Sequence, residues 1–378
     1  MIAKNSIKFF TVLALVFTSF GVFASGGDKK SLDNDGGKVN TKEEISAYIK
    51  HHLADSHDFS LYSYTNDAGE RKHVGFPLPV IVWTSKGLTA FMSSSFHHND
   101  DGHVVLEKGG VKLTKIHSKI YELNEGATEV AFDETHHATN AHKVLDLSIT
   151  KSVFGILLAG LLMFLGFGSL AKGYKKGAIP TGVGRVLEPL VLYVRDEIAR
   201  PNIGEKKYKR FMPYLLTVFF FIWILNLLGL TPLGFNVTGQ IAVTVCLALF
   251  TLIIYITNGS KDFWAHTLWM PGVPKLLRPI LAVLELAGFL LIKPFSLLVR
   301  LFANITAGHS VVMGIAALMV LLKAEFGTVG ATGISFLLTL FLTVIELLVA
   351  FLQAFIFTML SALFIGMAVE EHDHAHDH

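Results

Sequence analysis

Hydrophobic and polar positions divide the chain into an apolar start, a polar middle and a long, mainly apolar remainder. In the stretch MIAKNSIKFFTVLALVFTSFGVFASGG, Lys4 and Lys8 precede an apolar run from Phe9 to Val22, and VFA ends the run with a small residue at Ala24. This order of charge, apolar length and small residue predicts a signal peptide over residues 1–24. An uncleaved anchor helix is the alternative, and both predict that the next segment is exported.

Residues 25–147 are polar and mixed. SGGDKKSLDNDGGKVN predicts a flexible linker, and KEEISAYIKHHLAD a short helix. Short alternating segments follow, such as FPLPVIVW and VKLTKIH, and Gly and Asx residues separate them. That pattern favours strands joined by turns. We therefore predict a small exported β-rich or irregular module here.

Residues 148–378 form the predicted membrane domain. Ile149–Leu170 is long enough for one upright span, and the lysines of AKGYKKG place its end on the cytoplasmic side. GVGRVLEPLVLYVRDEIARPNIGEKKYKR has apolar residues at helical spacing among charges, which predicts an amphipathic helix on the membrane surface. A soluble loop is the alternative for this segment. Phe211–Leu230 and Ile241–Ile256 predict a two-span hairpin.

Two mainly apolar runs near the end of the chain, Ile280–Leu322 and Ala331–Val369, are unusually long. At about 1.5 Å per residue the first would form a helix of about 65 Å, twice a bilayer core of about 30 Å. The polar segment KAEFGTVG at 323–330 separates them. We predict a long, steeply tilted two-helix hairpin. The fold class is then an all-α polytopic membrane protein preceded by the exported module.

Composition agrees with a membrane protein and excludes several other classes. Hydrophobic residues make up 52% of the chain, charged residues 16%, and the mean hydropathy is +0.51. A formal net charge of only +2 gives no basic field for nucleic acid. The single cysteine, Cys246, excludes an intramolecular disulfide and a thiolate metal cluster.

The long hairpin carries several ionisable residues. Such a residue costs about 2.5–3.5 kcal/mol at the membrane centre on insertion scales, and by default it marks a function. The first helix carries Glu285, Lys293, Arg300 and His309, and the second carries Glu346; polar Asn304 and Gln353 accompany them. Ser310 and Thr343 are further candidates on the same helices.

The spacing of these residues fits one antiparallel register. Arg300 and Asn304 share a helix face, as do Glu346 and Gln353. With a turn near positions 326–327, Arg300 would face Gln353 and His309 would face Glu346. Arginine stays charged in almost any environment, whereas a His–Glu pair can exchange protons near neutral pH. Such a hairpin suits proton transfer to a partner's carboxylate; a helix-packing salt-bridge network is the structural alternative.

The segments LIKPFSLLVRLFANITAGHSVV and IELLVAFLQAFIFTMLSALFIGMAVEEH resemble the a subunit of the membrane sector of F-type ATP synthases. The resemblance covers about residues 184–372. It implies that Arg300 separates two offset proton half-channels, beside Asn304 and Gln353, and that His309 and Glu346 line the half-channel from the exported side. In many relatives these last two positions carry Glu and His respectively, so here the pair is exchanged. Glu285 and Lys293, with Ser310 and Thr343, are candidates for the rest of the path.

The resemblance also implies partners and a location. Those partners are a ring of c subunits, peripheral-stalk b subunits, the rest of the complex and the lipid bilayer. The expected location is the bacterial inner membrane, with an exported N-terminal module and a cytoplasmic C-terminus. No catalytic site, cofactor or nucleic acid is expected for this chain alone, and the coupling ion, proton or sodium, is left open.

Two other classes of protein fit the sequence less well. An independent channel or secondary transporter would favour internal repeats or broken short helices, and an exported enzyme would need a nucleophile motif; the sequence has neither. It also has no GxxxxGK[ST] nucleotide motif. Of the 17 histidines, eleven fall in residues 25–147 and four in the tail EEHDHAHDH. Because the spacing of the histidines is irregular, no metal site is predicted.

Overall fold

The computed structural model describes residues 55–65, 71–97, 99–124, 126–133, 138–177, 182–231, 235–269, 274 and 277–370. It divides into two compact units. One contains the N-terminal part to Ile156 with residues 228–236 and 316–335, and the other contains residues 157–227, 237–315 and the chain from Phe336. The predicted signal peptide, the linker, the short helix before residue 55 and the His-rich tail from residue 371 lie outside the described residues.

Strands build the N-terminal module, as the alternating segments predict. In chain order they are β1 Asp58–Thr65, β2 Arg71–Pro77, β3 Pro79–Thr84, β4 Gly87–Met92, β5 Asp101–Lys108, β6 Val111–Ile116, β7 Lys119–Leu123, β8 Ala141–Lys143 and β9 Leu145–Asp146. They form a β1–β2 pair, a sheet in the order β4–β3–β9 and a sheet in the order β5–β6–β7–β8. All the neighbouring strands pair antiparallel.

The core of the module follows the two-residue period of its strands. In β3, Val80 and Val82 are fully buried, whereas the alternate residue Trp83 points outward. The buried pair packs with Phe96, Leu113 and other apolar side chains in one cluster. The described part of the module is therefore β-structured, with a small hydrophobic core of its own.

A short segment ahead of β1 is held by hydrogen bonds to the start of the first long helix, which begins at Lys151, and to Asp146 before that helix. The carboxylate of Asp55 accepts the Ser152 N–H at 2.9 Å, and the Ser56 carbonyl accepts the Lys151 N–H at 2.9 Å. His57, which is buried, bonds through Nε2 to Asp146 Oδ2 at 2.7 Å. These three contacts form a clasp. Its two bonds to Lys151 and Ser152 satisfy N–H groups that have no helical partner at the start of the helix.

Helices form the rest of the described chain. They are α1 Lys151–Lys176, α2 Val183–Tyr193, α3 Arg200–Ile203, α4 Tyr208–Gly229, α5 Ile241–Thr257, α6 Lys261–Leu268, α7 Arg278–Ala287 and α8 Lys293–Val369, with π-helical turns at Val194–Ala199 and Gly288–Ile292. Four described helical segments are long and apolar enough to span a membrane: Lys151–Lys175, Tyr208–Gly229, Arg278–Thr306 and Val329–Val369. A fifth is counted if α5 and α6, bent by 103°, form one span. The predicted class, an all-α polytopic membrane protein, is confirmed.

Residues 183–203, which lie between α1 and α4, are helical and amphipathic, as predicted. Val194 and Ile198 are fully buried. Asp196 forms ion pairs with Arg195 at 2.8 Å and Arg200 at 2.7 Å on the half-exposed side. One side of the segment therefore packs into the protein and the other carries charge.

The last helical region forms two arms. The first arm, residues 278–326, contains α7, the π-turn and the start of α8, and the second arm is residues 328–369. Between them Gly327 interrupts the helical backbone, because its φ of 67° and ψ of 173° are not helical. This backbone region is essentially restricted to glycine. The break falls inside the polar segment 323–330 that the sequence predicts as a turn.

Candidate functional site

Two contacts set the register of the arms. Asn304 Nδ2 on the first arm donates to Gln353 Oε1 on the second at 3.2 Å. A Cβ added at Gly308 would lie 2.8 Å from Glu346 Oε1. Since the partner number falls as the residue number rises, the arms run antiparallel, with the polar residues of both at their contact.

Arg300 lies on the first arm with its side chain exposed. Within the part of the chain that the structure describes, it makes no hydrogen bond or ion pair. The spacing predicts that Arg300 faces Gln353, but the bond to Gln353 comes from Asn304, one turn further along the same face. The guanidinium is thus left at the surface of a helix that is long and apolar enough to cross a membrane.

Gln353 is buried beside this face, with 3% of its surface exposed. Its Oε1 accepts from Asn304, while its Nε2 has no partner among the described residues. A buried amide N–H without a partner is costly, so this position favours an acceptor from water or from another molecule. Asn304 itself is half-buried and lies between Gln353 and the surface.

Glu346 is half-buried on the second arm, and its carboxylate lies against the backbone of the first arm at Gly308. A side chain at residue 308 would displace the carboxylate from this position. The backbone of His309 is helical, but its side chain lies outside the described part of the structure. The predicted pairing of His309 with Glu346 therefore stays a prediction.

The other candidate residues have different surroundings. The Lys293 ammonium lies 4.4 Å from the ring centre of Phe289 and 5.2 Å from that of Phe364, which is a cation–π arrangement. Glu285 is exposed and Ser310 is half-buried. Thr343 donates to the Thr339 carbonyl within its own helix at 2.8 Å. None of these four residues is joined by a described hydrogen bond to Arg300, Asn304 or Gln353.

Sequence reasoning missed a polar contact between α4 and the second arm. Asn226, which is 2% exposed, donates to the Ala350 carbonyl at 3.3 Å and accepts from Thr238 Oγ1 at 3.0 Å. The sequence does contain a signal for this contact, because a polar asparagine interrupts the apolar run WILNLLG and polar residues inside membrane spans are uncommon. The contact holds α4 against the second arm three residues before Gln353.

Sequence reasoning also missed Tyr255 on α5. Its side chain is fully buried, and its hydroxyl donates to the Phe289 carbonyl in the π-turn at 2.6 Å. A tyrosine at the end of an apolar helix usually indicates an interfacial anchor. The sequence therefore carries no signal for this bond.

No group of three or more His, Cys, Asp or Glu side chains suited to holding a metal occurs among the described residues. The spanning helices of the hairpin carry an exposed cation, an amide pair of which Gln353 is buried, and a half-buried carboxylate. Ionisable groups on membrane spans often mark ion or proton paths, so the fold and site point to the class of multi-pass membrane transport proteins.

The comparisons with known proteins specify the family. Residues 153–366 match the model of the ATP synthase A chain, and residues 48–147 match a family described as a domain of unknown function. The chain belongs to the ATP synthase A chain family. The prediction of a membrane-sector subunit of an F-type ATP synthase is thereby confirmed.

Named relatives agree. The chain is 43% identical over 244 residues to ATP synthase subunit a of Chloroherpeton thalassium, which covers 62% of this chain and 71% of the relative. It is also 43% identical over 244 residues to ATP synthase subunit a of Myxococcus xanthus, covering 62% of this chain and 78% of the relative. For ATP synthase subunit a 2 of Chlorobaculum tepidum the identity is 41% over 254 residues, covering 65% and 70%.

Proposed function

We propose that the hairpin forms the stationary side of a proton path with two offset half-channels, and that Arg300 is the fixed positive barrier between them. One observation carries the proposal: Arg300 is exposed on a spanning helix and has no ion-pair partner among the described residues. A permanent charge in that position needs an anion from outside the chain. A carboxylate on a rotating ring of c subunits is such an anion.

The proton steps follow from this charge. A protonated ring carboxyl that approaches Arg300 loses its proton to the release half-channel, because the guanidinium favours the ionised form. The carboxylate passes Arg300 and takes up a proton from the other half-channel. The bare proton cannot pass between the half-channels directly, since the guanidinium repels it.

Glu346 and His309 are proposed to line the half-channel on the exported side. Gly308, against which the Glu346 carboxylate lies, is eight residues beyond Arg300, or about 12 Å along a helix. Gly308 is closer along the chain than Arg300 to Gly327, where the first arm turns into the second. If the lysines after α1 are cytoplasmic, alternating spans place this turn on the exported side and the C-terminus in the cytoplasm. That arrangement requires the long arms to be steeply tilted.

The further expected features belong to the same proposal. Residues 1–24 are the signal peptide, 25–147 the exported extension and 148–378 the membrane domain of a bacterial inner-membrane protein. The expected partners are the c ring and the b subunits of the peripheral stalk. Asn304 and Gln353 support Arg300 at the ring surface, and Glu285, Lys293, Ser310 and Thr343 are candidates for lining the path.

Passive proton flux tests the barrier. Vesicles that contain the assembled membrane sector without the catalytic sector are given a membrane potential, and proton uptake is measured. Arg300→Ala should raise the flux several-fold, whereas Arg300→Lys keeps the charge and should stay close to the original flux. An unchanged flux in assembled Arg300→Ala vesicles would contradict the proposal.

A double exchange tests the proposed pair. His309→Glu and Glu346→His should each lower ATP-driven proton pumping by roughly tenfold or more, in line with the loss of one acid–base partner. The double variant, which restores one of each side chain, should recover a large part of the rate. If the double variant is as inactive as the single variants, the two residues do not act as a pair.

A further inference from the structure

The π-turn Gly288–Ile292 separates α7 from α8 and ends eight residues before Arg300, about 12 Å along the helix axis. A π-turn contains one residue more than an α-helical turn, which rotates the helix that follows by about 100°. The face that Arg300 presents therefore depends on whether this turn is kept. The turn's hydrogen bonds show how it is held.

One carbonyl of the turn has no donor within its own helix. The Lys293 N–H, which in an α-helix would bond to Phe289, bonds instead to the Gly288 carbonyl, five residues back. The next residue in that five-residue pattern is Pro294, which has no N–H. The Phe289 carbonyl is thus passed over by both the α-helical and the π-helical pattern.

The hydroxyl of Tyr255 takes the place of the missing donor. It lies 2.6 Å from the Phe289 carbonyl oxygen, and the Tyr255 side chain is fully buried. Its ring packs edge-on against the Phe289 ring, with centroids 4.9 Å apart, and meets Phe364 on the second arm at 6.1 Å. Water has little access to a fully buried group, so this hydroxyl is the donor that the structure provides for the carbonyl.

We propose that Tyr255 is a positioning residue for Arg300: its hydroxyl holds the π-turn and so fixes the direction in which the guanidinium points. The inference rests on the proposed role of Arg300 as the barrier. Tyr255 touches neither Arg300 nor the transferred proton. It acts from a separate helix, α5, through the Phe289 backbone.

The test removes the hydroxyl and then supplies a replacement donor. Tyr255→Phe deletes only the oxygen, and Pro294→Ala gives residue 294 an N–H that can bond to Phe289. Inverted membrane vesicles are prepared for both single variants and the double variant. Assembly of the complex, ATP hydrolysis and ATP-driven proton pumping are measured on the same preparations. Tyr214→Phe is the matched control, because it removes a hydroxyl that bonds a side chain, Thr251 Oγ1, at 2.7 Å.

Tyr255→Phe is expected to lower the number of protons pumped per ATP hydrolysed by about threefold to tenfold. The loss of one buried hydrogen bond is expected to change the rate of proton pumping by about this factor. Adding Pro294→Ala should restore the ratio to within about twofold of the original. Tyr214→Phe should leave it within the same range. If Tyr255→Phe prevents assembly instead, the double variant decides: restored assembly with the original pumping ratio supports the proposal, and restored assembly without pumping contradicts it.

Two results would overturn it. The hydroxyl has no positioning role if Tyr255→Phe pumps like the Tyr214→Phe control. A loss that Pro294→Ala does not restore would mean that the hydroxyl acts otherwise than as the donor to the Phe289 carbonyl. Arg300→Ala is measured in parallel, and normal pumping by this variant would contradict the proposed function itself. If Arg300→Ala does not pump and Pro294→Ala does not restore pumping to Tyr255→Phe, only the positioning role of Tyr255 is rejected.

Discussion

Two cations on the first arm, Lys293 and Arg300, have different surroundings. Lys293 lies over the rings of Phe289 and Phe364, which accommodate its charge inside the protein. Arg300 is exposed and has no ion-pair partner in the described residues. The guanidinium is also less strongly hydrated than an ammonium and keeps its charge. Arg300, and not Lys293, therefore suits contact with an anion from another subunit.

Gly308 is predicted to set the position of the Glu346 carboxylate. In Gly308→Ala the new Cβ would meet Glu346 Oε1 at 2.8 Å, so the end of that flexible side chain must move. Stability should change little, but ATP-driven proton pumping should fall by roughly tenfold, as expected when a proton-transfer group is misplaced. Pumping in inverted vesicles, normalised to assembled complex, measures this.

Gly314→Ala is the control for that variant. Gly314 lies on the same helix, and a Cβ there would meet nothing within 4 Å. Its pumping should match the original protein. Equal pumping by Gly308→Ala and Gly314→Ala would show that proton pumping does not depend on the position of the Glu346 carboxylate against residue 308.

The sequence is informative about the individual site residues because each interrupts an apolar run. Arg300, Asn304, Glu346 and Gln353 are all selected as candidates in this way, and Asn304 contacts Gln353, where the spacing predicts Arg300. The exact partner is not predictable from spacing, since Arg300 and Asn304 share a face. Tyr255 is missed because its role depends on a carbonyl that a proline elsewhere leaves without a donor.

At the scale of elements, the length of each apolar run is the most useful signal. It predicts both long arms and places their turn at 323–330, where Gly327 has its non-helical backbone. It does not predict the π-turns at 194–199 and 288–292. A π-turn adds a single residue to a helix, and this changes the hydrophobic periodicity too little to be recognised in the sequence.

The end of the second arm is predicted to require Gly366. A Cβ there would overlap the carbonyl oxygen of Asn202 in α3, and a backbone atom cannot move away as the end of a flexible side chain can. Gly366→Ala should destabilise the chain by about 1–3 kcal/mol or more, as overpacking does. Thermal unfolding of the purified complex should show a lower transition temperature.

The matched control is Gly333→Ala on the same arm, where a new Cβ would meet nothing within 4 Å. Alanine also favours a helix over glycine, so this variant should be as stable as the original protein or slightly more so. If both variants unfold at the original temperature, the close approach at Gly366 is not needed.

At the scale of the whole molecule, the chain consists of a small β module followed by a helical membrane domain of the ATP synthase A chain family. The module has its own core and is fastened by the clasp of residues 55–57 to the start of α1. Its strands are predictable from alternation. The clasp is not, because it joins residues about 90 positions apart and involves no hydrophobic pattern.

The clasp is predicted to weaken in acid. Burial acts to raise the pKa of Asp146, but hydrogen bonds from His57 and Ser148 outweigh burial and hold the pKa below its ordinary value of 3.8. A depressed carboxyl pKa contributes stability that is fully present above the unfolded value and is lost as the pH falls through the folded value. Asp146→Asn should therefore lower the unfolding temperature at neutral pH, and the difference should shrink below about pH 4.

Calorimetry of the purified complex between pH 7 and pH 3 measures that difference. Asp101→Asn is the control, since the Asp101 side chain in the same module makes no hydrogen bond or ion pair in the described structure. It should show no such change with pH. A difference for Asp146→Asn that stays constant with pH would contradict the role given to the His57–Asp146 contact.

Arg300 is proposed to make proton movement depend on rotation of the c ring. The most direct measurement is the number of protons pumped per ATP hydrolysed in inverted vesicles that contain the assembled Arg300→Ala complex. Loss of pumping, with ATP hydrolysis still measurable, is the predicted result. Pumping at the original ratio without Arg300 would contradict the claim.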